Sequence, residues 1–162
     1  MRPPVFTFND LIILKKKLAG VDQRSLETFA ARARKAAGVK GQVQVLITSS
    51  GELRKLNRRF RRKDKPTDVL SFPAIIDGEA GDIAISADIA SENAFQLGHS
   101  LDEELRVLIL HGILHLAGHD HETDSGEMEV LESELRDRLK LPSSLIERTR
   151  TTPGKREKGR KR

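Results

Sequence analysis

The sequence predicts an α+β fold in which helices pack on a small mixed β-sheet. Three observations indicate this class: short apolar runs, longer apolar stripes at helical spacing, and the absence of a Rossmann-type glycine fingerprint. The chain has 162 residues, a length typical of one domain. We therefore predict a single domain over residues 1–150, followed by a basic, disordered tail over residues 151–162.

Four short strands are predicted, at residues 11–14, 43–47, 68–72 and 82–86. In the second strand Val43, Val45 and Ile47 alternate with polar neighbours, which is typical of a half-buried strand. Pro73 is expected to end the third strand, and residues 79–81 are predicted to form a turn before the fourth.

Five helices are predicted: residues 23–37, a short helix opened by Ser49, residues 87–97, a long helix opened by Ser100, and a last helix from about residue 124. Ser100 and Glu103 have the spacing of a capping box. In the short helix we expect Leu53, Leu56 and Phe60 to point inward. The long helix is apolar on most faces, which predicts a central position.

Composition limits the kinds of site that the chain can form. There is no cysteine, so a metal must be held by nitrogen and oxygen ligands. There is neither a signal-peptide stretch nor an apolar run of membrane-spanning length, which predicts a cytoplasmic protein. The net charge of +5 resides in the tail, because residues 151–162 contain six basic residues and one acidic residue.

Three histidines, His111, His115 and His121, indicate a metal site. His111 and His115 are four residues apart and therefore share one helix face. Gly118 can adopt the left-handed conformation that ends a helix, which lets His121 return to the same point. Three imidazoles with an open fourth position are typical of catalytic zinc, although nickel or another transition metal fits the same ligands. The competing interpretation is that these are unrelated surface histidines.

The same histidine spacing occurs in metzincin proteases, which carry a glutamate general base directly after the first histidine. Here that position is Gly112. A bound metal would still lower the pKa of water to about 7, so hydrolysis of another kind of bond remains open. Phosphodiesters are the favoured substrate class, because their transition state requires cations near the phosphoryl oxygens.

Such cations are concentrated between residues 54 and 65, where eight of twelve residues are basic. We predict that six of them bind RNA: Arg58, Arg59, Arg61, Arg62, Lys63 and Lys65. The alternative is an ordinary solvated face. Aromatic residues are few, with six Phe and no Trp or Tyr, so sequence-specific reading by base stacking is not well supported.

At this point three blocks of sequence resemble one known family. His111–His121 resembles the signature His-Gly-x-Leu-His-Leu-x-Gly-Tyr-Asp-His of YbeY-type endoribonucleases, with His119 in place of the aromatic residue. Leu56–Pro73 resembles the family's second motif, and Gly81–Ser86 its Gly-Asp-Ile-x-Ile-Ser strand.

This resemblance implies a zincin-like, metal-dependent hydrolase architecture with one zinc ion held by His111, His115 and His121 on and beyond a central helix. It also implies cleavage of single-stranded RNA during ribosomal RNA maturation, notably at the small-subunit 3′ end, and in ribosome quality control, with the ribosome or its proteins as partners. The resemblance places Arg61 near the metal, where we expect it to contact the scissile phosphate. Arg61 and His115 are the predicted catalytic residues.

Several alternatives stay open at the level of sequence. The nucleophile could be water or a ribose 2′-hydroxyl. The chain could instead be a metallopeptidase in which Asp120 or Glu122 replaces the missing base, or a ribosome-assembly factor that binds RNA and uses zinc structurally. Asp120 either orients a histidine ligand or forms a plain turn. His99 is expected in a surface loop.

Overall fold

The computed structural model describes residues 10–120 and 122–142. Its strands are β1 (Leu11–Leu14), β2 (Gln42–Thr48), β3 (Val69–Pro73) and β4 (Glu79–Ser86), and its helices are α1 (Gln23–Ala36), α2 (Ser50–Arg61), α3 (Ala87–Leu97), α4 (Leu101–Leu116) and α5 (Glu127–Arg138). Each predicted element is present, with boundaries shifted by a few residues. No helix in this part of the chain is long and apolar enough to span a membrane.

The four strands form one mixed sheet in the order β1-β2-β4-β3. Strands β1, β2 and β4 are parallel, whereas β3 is antiparallel to β4 and forms one edge of the sheet. The α+β class with a small mixed sheet is therefore confirmed. The predicted turn at residues 79–81 is wrong, because these residues begin β4, where Gly81 pairs with both Val43 and Pro73.

The main core lies between one face of the sheet and helices α1, α4 and α5. Alternate residues of β2 and β4 point into it, including Val43, Val45, Ile83 and Ile85, all of which are buried. Helix α4 has ten buried residues and contacts α1, α3, α5 and the sheet, which confirms its predicted central position. This burial explains why its sequence is apolar on most faces.

Both ends of α4 have the predicted local chemistry. Ser100 and Glu103 form a complete capping box at its first turn. At the other end Gly118 has φ +93°, and the backbone N–H of His119 donates to the carbonyl oxygen of Leu114 at 3.1 Å. Because this left-handed residue ends the helix, the chain turns away directly after the second histidine of the motif.

Helix α2 packs on the opposite face of the sheet, over β3 and β4. A small second cluster forms there from Leu53, Leu70 and Ala84, with Leu56 and Phe72 partly buried against it. The prediction that Phe60 points inward is wrong, because 57% of its surface is exposed. Phe60 lies near the C-terminus of the 12-residue helix, where its ring only meets the edge of the cluster at Phe72.

Candidate active site

Two imidazoles of α4 face each other at the centre of the site. The Nε2 atoms of His111 and His115 lie 3.1 Å apart, with the ring planes inclined at 73°. Two nitrogens bound to one tetrahedral zinc at 2.0–2.1 Å would lie about 3.3 Å apart, so the pair fits a shared metal ion. His121, the third predicted ligand, lies outside the described residues, and residues 10–120 and 122–142 alone contain no group of three metal-binding side chains.

A buried carboxylate on α5 lies behind His111. Oε2 of Glu132 is 3.4 Å from Nδ1 of His111, and the glutamate is fully buried. A carboxylate at Nδ1 fixes the ring orientation and the tautomer of a histidine that binds a metal through Nε2. Sequence reasoning missed Glu132, although its position four residues after Met128, on the buried stripe of α5, was an available signal.

The position that carries the glutamate base in metzincins is closed by packing. A Cβ atom added to Gly112 would lie 2.8 Å from Cδ1 and 2.9 Å from Cγ2 of Ile83 on β4. The close approach of α4 to the sheet therefore favours glycine here, because any larger residue would require the Ile83 side chain to shift. This packing argues against a peptidase mechanism with its base at residue 112.

A cavity of about 420 Å³ opens in front of the two histidines. Three groups of residues line it: Asn57, Arg61, Lys63 and Lys65 from α2 and the following loop; Thr67 to Ser71 from β3 and its approach; and His111, His115, Asp120 and Glu122 from α4 and beyond. The predicted catalytic pair, Arg61 and His115, thus shares one cavity. Of the predicted RNA-binding residues, Lys63 and Lys65 join them there, whereas Arg58, Arg59 and Arg62 lie outside the lining.

Arg61 is attached to the edge strand of the sheet. Its Nη2 donates to the carbonyl oxygen of Ser71 at 3.3 Å, and the hydroxyl of Ser71 donates to the carbonyl oxygen of Gly112 at 3.1 Å. These two hydrogen bonds link the predicted phosphate-binding arginine to the helix turn that begins at His111. Asp68 directly precedes the same strand, and burial raises the pKa of its carboxyl group.

Comparison with known sequences identifies the group to which this site belongs. The family model described as Endoribonuclease YbeY matches residues 9–140. The chain belongs to this family. YbeY proteins are endoribonucleases, enzymes that act on the phosphodiester bonds of RNA, and the resemblance noted in the sequence is confirmed.

Individual YbeY relatives cover nearly the whole chain. The chain is 79% identical over 152 residues to the Endoribonuclease YbeY of Koribacter versatilis, an alignment that covers 94% of this chain and 99% of the relative. It is 44% identical over 140 residues to that of Solibacter usitatus, covering 86% and 95%. The solution structure of TM1509 from Thermotoga maritima is similar, with a TM-score of 0.57 and 29% identity over 94% of this chain and 99% of that one.

In this YbeY chain, the loop after α2 is held by a residue that sequence reasoning also missed. Asn57 is 2% exposed, and its Nδ2 donates to the carbonyl oxygen of Lys65 at 3.0 Å. Its own carbonyl oxygen accepts from the backbone N–H groups of Arg62 and Lys63. These bonds shape the turn at Arg62, which has φ +56°, and bring Lys63 and Lys65 to the cavity.

For two further polar residues the structure corrects or refines what the sequence predicts. His99 is not a simple surface residue, because its Nε2 lies 2.6 Å from Oε2 of the fully buried Glu104 and its side chain is only 10% exposed. Asp120 forms a turn, with Oδ1 accepting from the backbone N–H of Glu122 at 3.0 Å. Any contact between Asp120 and His121 lies outside the described residues.

Proposed function

We propose that this YbeY protein is a zinc-dependent endoribonuclease that cuts single-stranded RNA, with the small-subunit ribosomal RNA 3′ end as a substrate and a role in ribosome quality control. The observation that carries the proposal is the imidazole pair of His111 and His115, 3.1 Å apart at Nε2 and facing the same cavity as Arg61, Lys63 and Lys65. The same proposal includes three further points: the protein is cytoplasmic, it binds the ribosome or ribosomal proteins, and its fold is related to that of zincins.

The residues that would hold the metal are His111, His115 and His121, all through neutral imidazoles. When bound, zinc supplies Lewis-acid chemistry, which favours attack on phosphorus at neutral pH. His111 is suited to this task because Glu132 approaches its Nδ1 and leaves Nε2 directed at His115. His115 is half-buried and lines the cavity wall.

The cationic wall of the cavity is suited to a phosphodiester. The exposed guanidinium of Arg61 donates one hydrogen bond to Ser71, and its remaining N–H groups can contact phosphoryl oxygens. Lys63 and Lys65 add positive charge from the loop that Asn57 holds. Positive groups fixed before the substrate arrives stabilise charge that develops on the phosphate without having to reorganise.

The test compares the wild-type protein with a His115→Ala, His121→Ala double variant, both purified from the same low-ribonuclease host. Each is incubated with end-labelled RNA fragments that cover the small-subunit 3′ end. We expect cutting by the wild type that a chelator abolishes and zinc restores, and no cutting by the double variant. His119→Ala is the matched histidine control and should retain one zinc per chain.

The remaining outcomes discriminate between alternatives. Equal cutting by the wild type and the double variant would identify a contaminating nuclease. A folded, zinc-loaded wild type that binds the RNA without cutting it would support the assembly-factor interpretation. In that case Arg61→Ala would weaken RNA binding while no variant showed metal-dependent cleavage.

A further inference from the structure

Phe60 is an aromatic side chain held at the surface of the most basic segment of the chain. It precedes the last residue of α2 and is 57% exposed, whereas Leu53 on the same helix is fully buried. We propose that Phe60 is a stacking platform for one unpaired RNA base beside the cavity. This inference rests on the proposed function and adds a base-binding site to it.

The ring of Phe60 is fixed by two neighbours. Its centroid lies 5.3 Å from that of Phe72 in an edge-to-face contact, and the guanidinium carbon of Arg59 lies 5.2 Å from the Phe60 centroid. Such contacts favour one orientation of the ring, and because Arg59 lies over one face, the base in the proposed complex stacks on the other face or displaces the guanidinium. Stacking of a base on an aromatic ring is tolerant of base identity, because each base has a π-face.

The position of the ring relative to the cavity follows from two neighbouring contacts between α2 and β3. Arg61 contacts Ser71 at the cavity, and Phe60 contacts Phe72. The two pairs are consecutive along both chain segments, so Arg61 and Phe60 reach neighbouring residues of β3, with Arg61 in the cavity wall and Phe60 outside it. In the proposed complex, a strand whose phosphate contacts Arg61 places a base of the same or a neighbouring nucleotide on Phe60.

Exposure alone does not identify a binding site, because isolated apolar residues are common on protein surfaces. Phe95 on α3 illustrates this, since it is 88% exposed. The two residues differ in their surroundings: α3 contains no basic residue, whereas four arginines flank Phe60 at positions 58, 59, 61 and 62. Aromatic groups interleaved with cations are characteristic of surfaces that bind single-stranded nucleic acid.

The experiment measures KM and kcat for cleavage of one short single-stranded RNA by the zinc-loaded wild type and by three variants. Phe60→Leu keeps an apolar contact with Phe72 but removes the aromatic face, Phe60→Trp keeps an aromatic face, and Phe95→Leu is the matched control. We expect Phe60→Leu to raise KM about 5- to 100-fold with kcat little changed. Phe60→Trp and Phe95→Leu should resemble the wild type.

A second series uses the same RNA with a single abasic position, moved along the strand. At one position along the strand, removal of the base should raise the KM of the wild type. The same abasic RNA should cause no further rise in the KM of Phe60→Leu, because the base and the ring contribute to the same contact. The dependence of binding on salt should be the same in the wild type and Phe60→Leu, since no charge is removed.

The outcomes separate the stacking platform from the function on which it rests. Equal effects of Phe60→Leu and Phe95→Leu, or abasic effects that add to Phe60→Leu at every position, would overturn the platform and leave the nuclease intact. A wild type that neither binds nor cuts single-stranded RNA would overturn both. If the wild type binds without cutting, the dissociation constant replaces KM and the same comparison decides.

Discussion

The hydroxyl of Ser71 on β3 donates a hydrogen bond to the carbonyl oxygen of Gly112 on α4, at 3.1 Å. Ser71 is 7% exposed, and its backbone carbonyl accepts from Arg61. This serine thus joins the edge of the sheet to the helix that carries His111 and His115. It links the cationic wall of the cavity to the imidazole wall.

Ser71→Ala should therefore destabilise the protein and impair the site together. We expect a loss of about 1 kcal/mol in the free energy of unfolding, the usual net value of one hydrogen bond, because the Gly112 carbonyl belongs to a helix and keeps a helical partner. Urea denaturation measures it as a lower midpoint with an unchanged slope. The exposed Ser91 on α3 gives the matched control, Ser91→Ala, and equal midpoints for the two variants would contradict the assigned role.

Gly112→Ala tests the close packing of α4 on β4. The new Cβ would meet Ile83 at 2.8 Å, and overpacking of this kind costs about 1 to 3 kcal/mol. Alanine favours helix by about 1 kcal/mol over glycine, which offsets part of that cost. Gly51→Ala in α2 is the control, because its nearest neighbour is Ser49 Oγ at 3.8 Å, and there we expect stabilisation. Thermal unfolding should move in opposite directions for the two variants, and a stabilised Gly112→Ala would show that the helix can shift away.

Glu132→Gln tests whether the buried carboxylate supports the metal site. Loss of a carboxylate partner of a metal-binding histidine typically lowers metal affinity about 10- to 100-fold. Competition with a chromophoric chelator measures the zinc dissociation constant directly. Glu134→Gln changes an exposed glutamate of the same helix and should leave the affinity unchanged. Identical zinc affinities for both variants would exclude Glu132 from this role.

The capping box of α4 predicts a dependence of stability on pH. Hydrogen bonds from Ser100, chiefly from its backbone N–H, lower the pKa of Glu103 below its usual range. A lowered folded-state pKa stabilises the protein above the unfolded pKa, and this contribution is lost as pH falls through the folded value. Glu103 is largely accessible to solvent, so we expect only about 0.5 kcal/mol or less. Unfolding measured between neutral and acidic pH should show a weaker acid dependence for Glu103→Gln than for the wild type, and Glu134→Gln serves again as control.

Much of the fold could be predicted from the sequence, as could the part of the site that lies on α4. The ends of α4 could be predicted, because Ser100, Glu103 and Gly118 form its caps with residues that are close to them in the sequence. The histidine spacing predicted the contact between His111 and His115, because both residues lie on one helix. The start of β4 was mispredicted, since glycine at position 81 is typical of a turn and only pairing with β2 and β3 makes it a strand residue.

The missed residues depend on contacts between distant segments. Glu132 approaches a histidine 21 residues away, and Asn57 bonds across the loop that follows α2. A charged or amide side chain normally indicates an exposed position, and only a partner supplied by the tertiary fold allows its burial. His99 was assigned to the surface although its partner, Glu104, is only five residues away, because the burial of Glu104 itself depends on the packing of α4.

The position of β3 at the edge of the sheet also affects the tendency of this protein to associate with copies of itself. An edge strand presents unpaired backbone groups that can pair with a strand of a second molecule and begin aggregation. Here Arg61 donates a hydrogen bond to the carbonyl oxygen of Ser71. Pro73, at the end of the strand, has no N–H group to donate. The arginine that we expect to bind phosphate therefore also shields the strand from association, and Arg61→Ala should reduce solubility at high concentration as well as activity.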